Sequence, residues 1–158
     1  MSFYTDQNVD PQLLIKKIRG VLAEKDVRAN IIWSVDEIST DGLLDIIPPR
    51  ANKLHAIQFI MQQEHFLEDR TVFAGDSGND LDVLTSGLQT ILVKNATEDI
   101  RKEAIKKLSE KNLTNRLYLP QGNFFGMNGN YAAGLMEGLV RFIPETGELI
   151  AKAVEKIR

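Results

Sequence analysis

From residue 51 onward the chain alternates between short apolar runs and helical patterns, and this rhythm restricts its fold more than any other feature. "TVFAG" (71–75), "QTILVK" (89–94) and "RLYL" (116–119) read as strands. "NKLHAIQFIMQQEH", "NDLDVLTS", "TEDIRKEAIKKLSEK" (97–111) and "GNYAAGLMEGLVRF" (129–142) read as helices. Ala56, Ile57, Ile60 and Met61 are the expected inner face of the first of these. The helix over 97–111 begins acidic and ends basic, as its dipole favours. Strands separated by helices connect as parallel βαβ units, because a parallel pairing needs a crossover long enough to hold a helix. The expected class is therefore α/β, with part of an open parallel sheet over 51–158.

The first 50 residues are patterned differently. Asp10 and Pro11 suit the cap and first turn of a helix, and Leu13, Leu14, Ile18, Val21 and Leu22 then recur at helical spacing. "NIIWSV" (30–35) and "LLDII" (43–47) read as strands, and "DEISTDG" between them supplies turn residues, so an antiparallel hairpin is expected. "PPR" (48–50) interrupts the pattern and marks the expected boundary. A helix-plus-hairpin piece, 1–50, thus precedes the α/β piece, 51–158.

Composition narrows the function. The chain has 158 residues, 43% apolar and 26% charged, with a net charge of −3. Such a balance suits a globular protein and gives no basic surplus for nucleic acid or an anionic membrane. The absence of cysteine removes disulfides and thiolate metal sites. The start, "MSFYTDQNVD", has neither the basic nor the apolar region of a signal peptide, and no apolar run approaches the roughly 20 residues of a membrane span. A cytoplasmic protein is the expectation.

The chemistry concentrates at "VFAGDSGNDLDVL" (72–84). In open α/β sheets ligands sit beyond the carboxyl ends of the strands, and this strand delivers Asp76 there. Gly75 and Gly78 allow a sharp turn and close approach of a ligand. Asp76 and Asp80 offer carboxylates, and Ser77 and Asn79 offer neutral oxygens between them. Hard oxygen donors suit Mg²⁺, which takes one or two carboxylates and completes its octahedron with water and phosphate. The start of the following helix is expected to offer N–H groups to an anion. Lys53, at the head of an upstream helix, can neutralise phosphate as a point charge. Read singly, Asp76 is equally a helix cap, Asp80 a solvated first-turn acid and Lys53 a solvated helix-end lysine.

Together, "GDSGND" (75–80) and the lysine of "PPRANK" (48–53) resemble the haloacid dehalogenase (HAD) superfamily of phosphatases. "GLLDIIPPRANK", "VFAGDSGNDLDVL", "ILVKNA" and "NYAAGLMEGL" resemble the second half of its sucrose-phosphate phosphatase branch. The resemblance covers nearly the whole chain. It implies that Asp76 is a metal ligand, that Asp80 supports the metal shell through water or Lys53, that Ser77 and Asn79 orient these groups, and that Lys53 steadies the phosphoryl group. It implies a Mg²⁺ cofactor, a sugar-phosphate substrate, a HAD-like core over 51–158 and part of an α+β cap over 1–50. Leu54 departs from the family's glycine after the lysine.

The same resemblance implies a nucleophile and an acid/base in a D-x-D pattern after an apolar strand. The chain's D-x-D is "DLD", Asp80 to Asp82, which follows no strand. This chain is therefore read as the carboxyl-terminal half of a phosphatase, inactive alone, whose "TVFAG" strand is left as an apolar edge. The expected partner is an amino-terminal half or a second copy. The other reading, favoured by the missing D-x-D, is a non-catalytic module that binds Mg²⁺ or phosphate. His55 and His65 are expected on helix surfaces, and Trp33 in sheet packing rather than stacked on a sugar. "PQGNFFGMNGN" (120–130) is either a lid or a connection whose aromatics tuck into the core.

Overall fold

A computed structural model describes residues 1–6, 8–35, 39 and 41–156. The chain divides into two compact units, Met1–His55 and Ala56–Arg158.

In the first unit, β1 (Ser2–Thr5), β2 (Asn30–Val35) and β3 (Gly42–Ile47) form one antiparallel sheet in the order β1-β3-β2. The expected hairpin is thus two strands of a three-stranded sheet, with β3 at its centre. β1 pairs Phe3 with Leu44 and Thr5 with Gly42, and the amino-terminal amine donates to the Ile46 carbonyl at 2.9 Å. Of the turn "DEISTDG", Asp36, Glu37, Ile38 and Thr40 lie outside the described residues. Trp33 is half-buried, and its ring lies where a Cβ on Gly42 would go, so it packs across the sheet as expected. Helix α1 (Pro11–Glu24) starts at Asp10, whose carboxylate accepts the N–H groups of Gln12 and Leu13 at 2.9 and 3.2 Å. Its covered face is Leu14, Ile15, Ile18 and Leu22, while Leu13 and Val21 of the expected face are about half exposed.

Helix α2 (Lys53–Gln63) begins in the first unit and runs into the second. Asn52 Oδ1 accepts the His55 N–H at 2.7 Å, as a capping side chain does. The expected inner face is only partly realised. Ile57 and Met61 are half-buried, but Ala56 and Ile60 are exposed, as are Phe59, Phe66 and Leu67 nearby. His55 is exposed on α2, and His65, also exposed, follows the helix in the left-handed region at φ 55°.

The second unit holds the parallel sheet, in the order β4 (Val72–Gly75), β5 (Gln89–Leu92), β6 (Leu117–Tyr118). β5 is its centre. Leu92 joins Leu84, Ala96 and Ala104 in a cluster that Phe73, Leu81, Ile100, Leu117 and Leu119 close off. That face is covered by α3 (Leu81–Leu84) and α4 (Glu98–Glu110). Ile91 points the other way, as strand geometry requires, onto α5 (Tyr131–Phe142). The buried positions of α5 are Gly134, Glu137 and Gly138. A Cβ on Gly138 would come within 2.5 Å of the Ile91 side chain, so these glycines let the helix lie directly on β5. Helix α6 (Gly147–Glu155), which the sequence pattern did not announce, ends the unit. Among the described residues no helix is long and apolar enough to cross a membrane.

Candidate active site

The chain leaves β4 at Gly75 and turns at once. Asp80 folds back over that turn, and its Oδ2 accepts the N–H of Asp76 and the N–H and Oγ–H of Ser77 at 3.1, 3.1 and 3.0 Å. Asp80 is buried, at 5% exposure, so these bonds matter: a buried carboxylate must be satisfied. Gly75 is what admits it. A Cβ there would meet the Asp80 Cβ, Cγ and Oδ2 at 2.7 Å. Gly78 has no such neighbour within 4 Å and no left-handed φ, so the turn itself does not demand glycine at that position. Asn79 and Gly78 are exposed at the tip. The amides of Asp76 and Ser77 are thus given to Asp80. The helix beyond is short, a turn over Gly78–Asp80 followed by α3.

Asp76 is half-buried at the carboxyl end of β4, where strand ends place ligands. Its Oδ2 accepts a hydrogen bond from Asn95 Nδ2 at 2.7 Å, and Asn95 Oδ1 in turn accepts the Tyr131 N–H at 2.8 Å. A concavity of about 340 Å³ opens beside it, lined by Ala74, Gly75, Asp76, Val93, Tyr131 and Leu135. Among the described residues no three His, Asp or Glu side chains gather into a metal cage. The donor that faces the open space is the hard carboxylate of Asp76, which fits a Mg²⁺ that keeps water and phosphate in its shell and does not fit a closed nitrogen or sulfur site. Lys53 is the first residue of α2 and belongs to the first unit, whereas Asp76 and Asp80 belong to the second. Asp82 of "DLD" is exposed on α3.

The loop over 120–130 is neither a free lid nor a fully tucked connection. Phe124 and Met127 are half-buried, and Phe125 is 40% exposed. Its start is held by the buried Glu137 carboxylate, which accepts the N–H groups of Gln121 and Gly122 at 2.7 and 3.1 Å and the Tyr118 hydroxyl at 2.9 Å. Burial, then the adjoining Glu137, push the Tyr118 phenol above its ordinary value. Lys94 bonds the Gln121 carbonyl through Nζ at 3.2 Å and the Gly129 carbonyl through its backbone at 3.0 Å, pinching the loop at its neck.

Asn95, Tyr131, Glu137 and Lys94 received no role from the sequence. One signal was available for two of them. Lys94 and Asn95 follow the strand adjacent to β4, and in a parallel sheet neighbouring carboxyl ends share one rim.

The fold is that of HAD-like hydrolases. The sucrose-phosphatase of Synechocystis sp., solved in complex with sucrose and phosphate, is similar with a TM-score of 0.60 at 23% identity, over 89% of this chain and 50% of that one. A haloacid dehalogenase-like hydrolase of Bacillus subtilis is similar with a TM-score of 0.51 at 21% identity, over 90% and 44% of the two chains. Residues 1–143 match the sucrose-6F-phosphate phosphohydrolase family, and the chain belongs to that family. A candidate HAD-like hydrolase of Nitrosococcus oceani is 52% identical over 146 residues, which are 92% of this chain and 39% of that protein. The chain therefore spans half or less of the length of these relatives.

Proposed function

We propose that this chain supplies the metal-binding and phosphate-steadying half of a magnesium-dependent phosphomonoester hydrolase acting on a sugar phosphate. The observation that carries the reading is Asp76, held at the rim of β4 by a built hydrogen-bond arrangement and facing an open concavity. In this reading Asp76 ligates Mg²⁺ and Asp80 fixes the turn that presents it. Ser77 and Asn79 line that turn, and Lys53 balances the charge of the phosphoryl group. The bound ion would supply charge neutralisation on phosphate oxygens. The residues here do the rest: they orient, screen and keep the carboxylate in place.

The nucleophile and the acid/base come from a D-x-D segment outside these 158 residues. Two observations support a partner for this chain. Among the described residues β4 pairs on one side only, with β5, and an unpaired parallel edge invites another strand. Phe59, Ile60, Phe66 and Leu67 are each more than half exposed, an apolar exposure of the kind that marks interfaces. The resemblance of family and fold supports the substrate class, and the sucrose-phosphatase named above was solved with sucrose and phosphate.

The missing D-x-D favours, for this chain in isolation, a non-catalytic module that binds Mg²⁺ or phosphate, and one experiment separates the two. Hydrolysis of a generic phosphate ester with Mg²⁺ is measured for this chain alone and after mixing with the amino-terminal segment of its Nitrosococcus relative. The expected result is no turnover alone, and turnover in the mixture that Asp76→Ala abolishes. A stable mixed complex without turnover favours the binding module. Turnover by the chain alone that is lost in Asp82→Ala returns "DLD" to the catalytic role.

A further inference from the structure

Asn95 lies outside the "GDSGND" turn, yet it is the side chain bonded to Asp76. Its place follows from the sheet. β4 and β5 run parallel, with Gly75 opposite Leu92, and the Val93 N–H continues the pairing to the Gly75 carbonyl at 3.1 Å. The chain beyond β5 therefore emerges beside the chain beyond β4, and Asn95 meets Asp76 there.

The direction of its amide is fixed by chemistry. A backbone N–H can only donate, so the Tyr131 N–H must face the Asn95 oxygen, at 2.8 Å. The Asn95 nitrogen then has to face the other way, where Asp76 Oδ2 accepts at 2.7 Å. Tyr131 adopts φ 47° to start α5, a left-handed conformation that an aromatic residue seldom takes. Backbone held in such a region persists only where its surroundings over-determine it. The result is a two-bond chain from the head of α5 through Asn95 to the carboxylate.

We propose that Asn95 is a positioning residue, which holds one oxygen of Asp76 and so presents the other to the divalent cation. This rests on the reading of Asp76 as a metal ligand. Groups that orient a ligand from behind set its affinity, and their loss typically weakens metal binding by about 10- to 100-fold.

The test is a titration of the intact chain with Mn²⁺ as a paramagnetic stand-in for Mg²⁺, followed by backbone and side-chain amide NMR. In the native chain the signals around Asp76 and the Asn95 side-chain amide broaden first. In Asn95→Ala, with the remaining spectrum intact, the same broadening is expected to need at least ~10-fold more Mn²⁺. Equal Mn²⁺ requirements in the two chains overturn the role of Asn95 and leave the reading of Asp76 standing. A native chain whose Asp76 turn is never broadened overturns that reading, and this inference with it.

A second measurement covers the case in which Asn95→Ala fails to fold. Asp76→Ala removes the acceptor and leaves Asn95 in place. The Asn95 side-chain amide signals should then move while the Tyr131 backbone amide stays. Unmoved side-chain signals overturn the bond on which the role depends.

Discussion

Thr90, Ile91 and Leu92 of β5 are fully buried, whereas every residue of β4, their neighbour in register, keeps part of its surface exposed. Both strands are short, apolar and parallel, and both end at the same rim. β5 is covered on its two faces by α3, α4 and α5 and paired on both edges. Among the described residues β4 is paired on one edge, and it ends in the turn that carries Asp76. The centre of the sheet thus holds the most deeply buried side chains, and its edge holds the proposed site. Burial and catalytic usefulness compete for the same positions, because a ligand must reach the groups that bind it.

Truncation should expose that division most strongly at β5. Leu92→Ala removes a fully buried side chain and is expected to cost about 3 kcal/mol in urea unfolding, within the range for such cavities. Val72→Ala at the half-exposed β4 is expected to cost about 1 kcal/mol. A loss at Val72 as large as at Leu92 would break the comparison, because it would mean that the β4 edge is covered in solution.

The next effect lies at the junction of the two roles. Gly75→Ala places a Cβ 2.7 Å from Asp80 atoms. It should cost about 1–3 kcal/mol, as over-packing of a tight site does, and disturb the Asp76 turn visibly in amide spectra. An unaltered spectrum would show that the Asp80 clamp has slack.

Tyr118 gives a smaller effect that depends on pH. Its phenol is raised above its ordinary value of 10.0 by burial and by Glu137. The folded state therefore favours the neutral form. This stabilisation is complete below the unfolded value and is lost as pH rises through the folded one. Tyr118→Phe cannot ionise, so its thermal midpoint should fall less than that of the native chain between neutral pH and strongly alkaline pH. Parallel curves for the two chains would count against a phenol raised by burial and Glu137.

The smallest stability change is expected at Gly78. With open space around it and no left-handed φ, Gly78→Ala should stay within about 0.5 kcal/mol. If a ligand approaches that exposed tip, the complemented enzyme should nonetheless lose turnover. Loss of stability without loss of turnover would reverse the assignment.

These contrasts also explain what could be read from residue order alone. The parallel sheet was legible because β4, β5 and the helices between them carry uninterrupted local patterns. "GDSGND" was legible because Gly75, Asp76 and Asp80 are close in sequence, so one turn expresses their relation. β1 was not, since four residues give too little alternation to weigh against a loop. The inner face of α2 was drawn too wide, because periodicity says which residues share a side but not how much of that side is covered. Leu13 and Val21 of α1 failed for the same reason. Of Asn95 only its place on the rim after β5 could be read, not its partner, and Glu137 was beyond reach. Their bonds to Asp76 and to Gln121 join residues brought together by strand register and by the packing of α5, neither of which a local window contains.

The pinched loop carries a consequence for how this site can diversify. Gly122 and Gly129 stand close enough that a Cβ on Gly129 would meet the Gly122 nitrogen at 3.2 Å, and Lys94 and Glu137 fasten the same neck. Residues 123–128 hang beyond that fastening, carrying Phe124, Phe125 and Met127. Because the neck sets where the tip begins and ends, a change confined to residues 123–128 is expected to leave the rim that seats Asp76 in place.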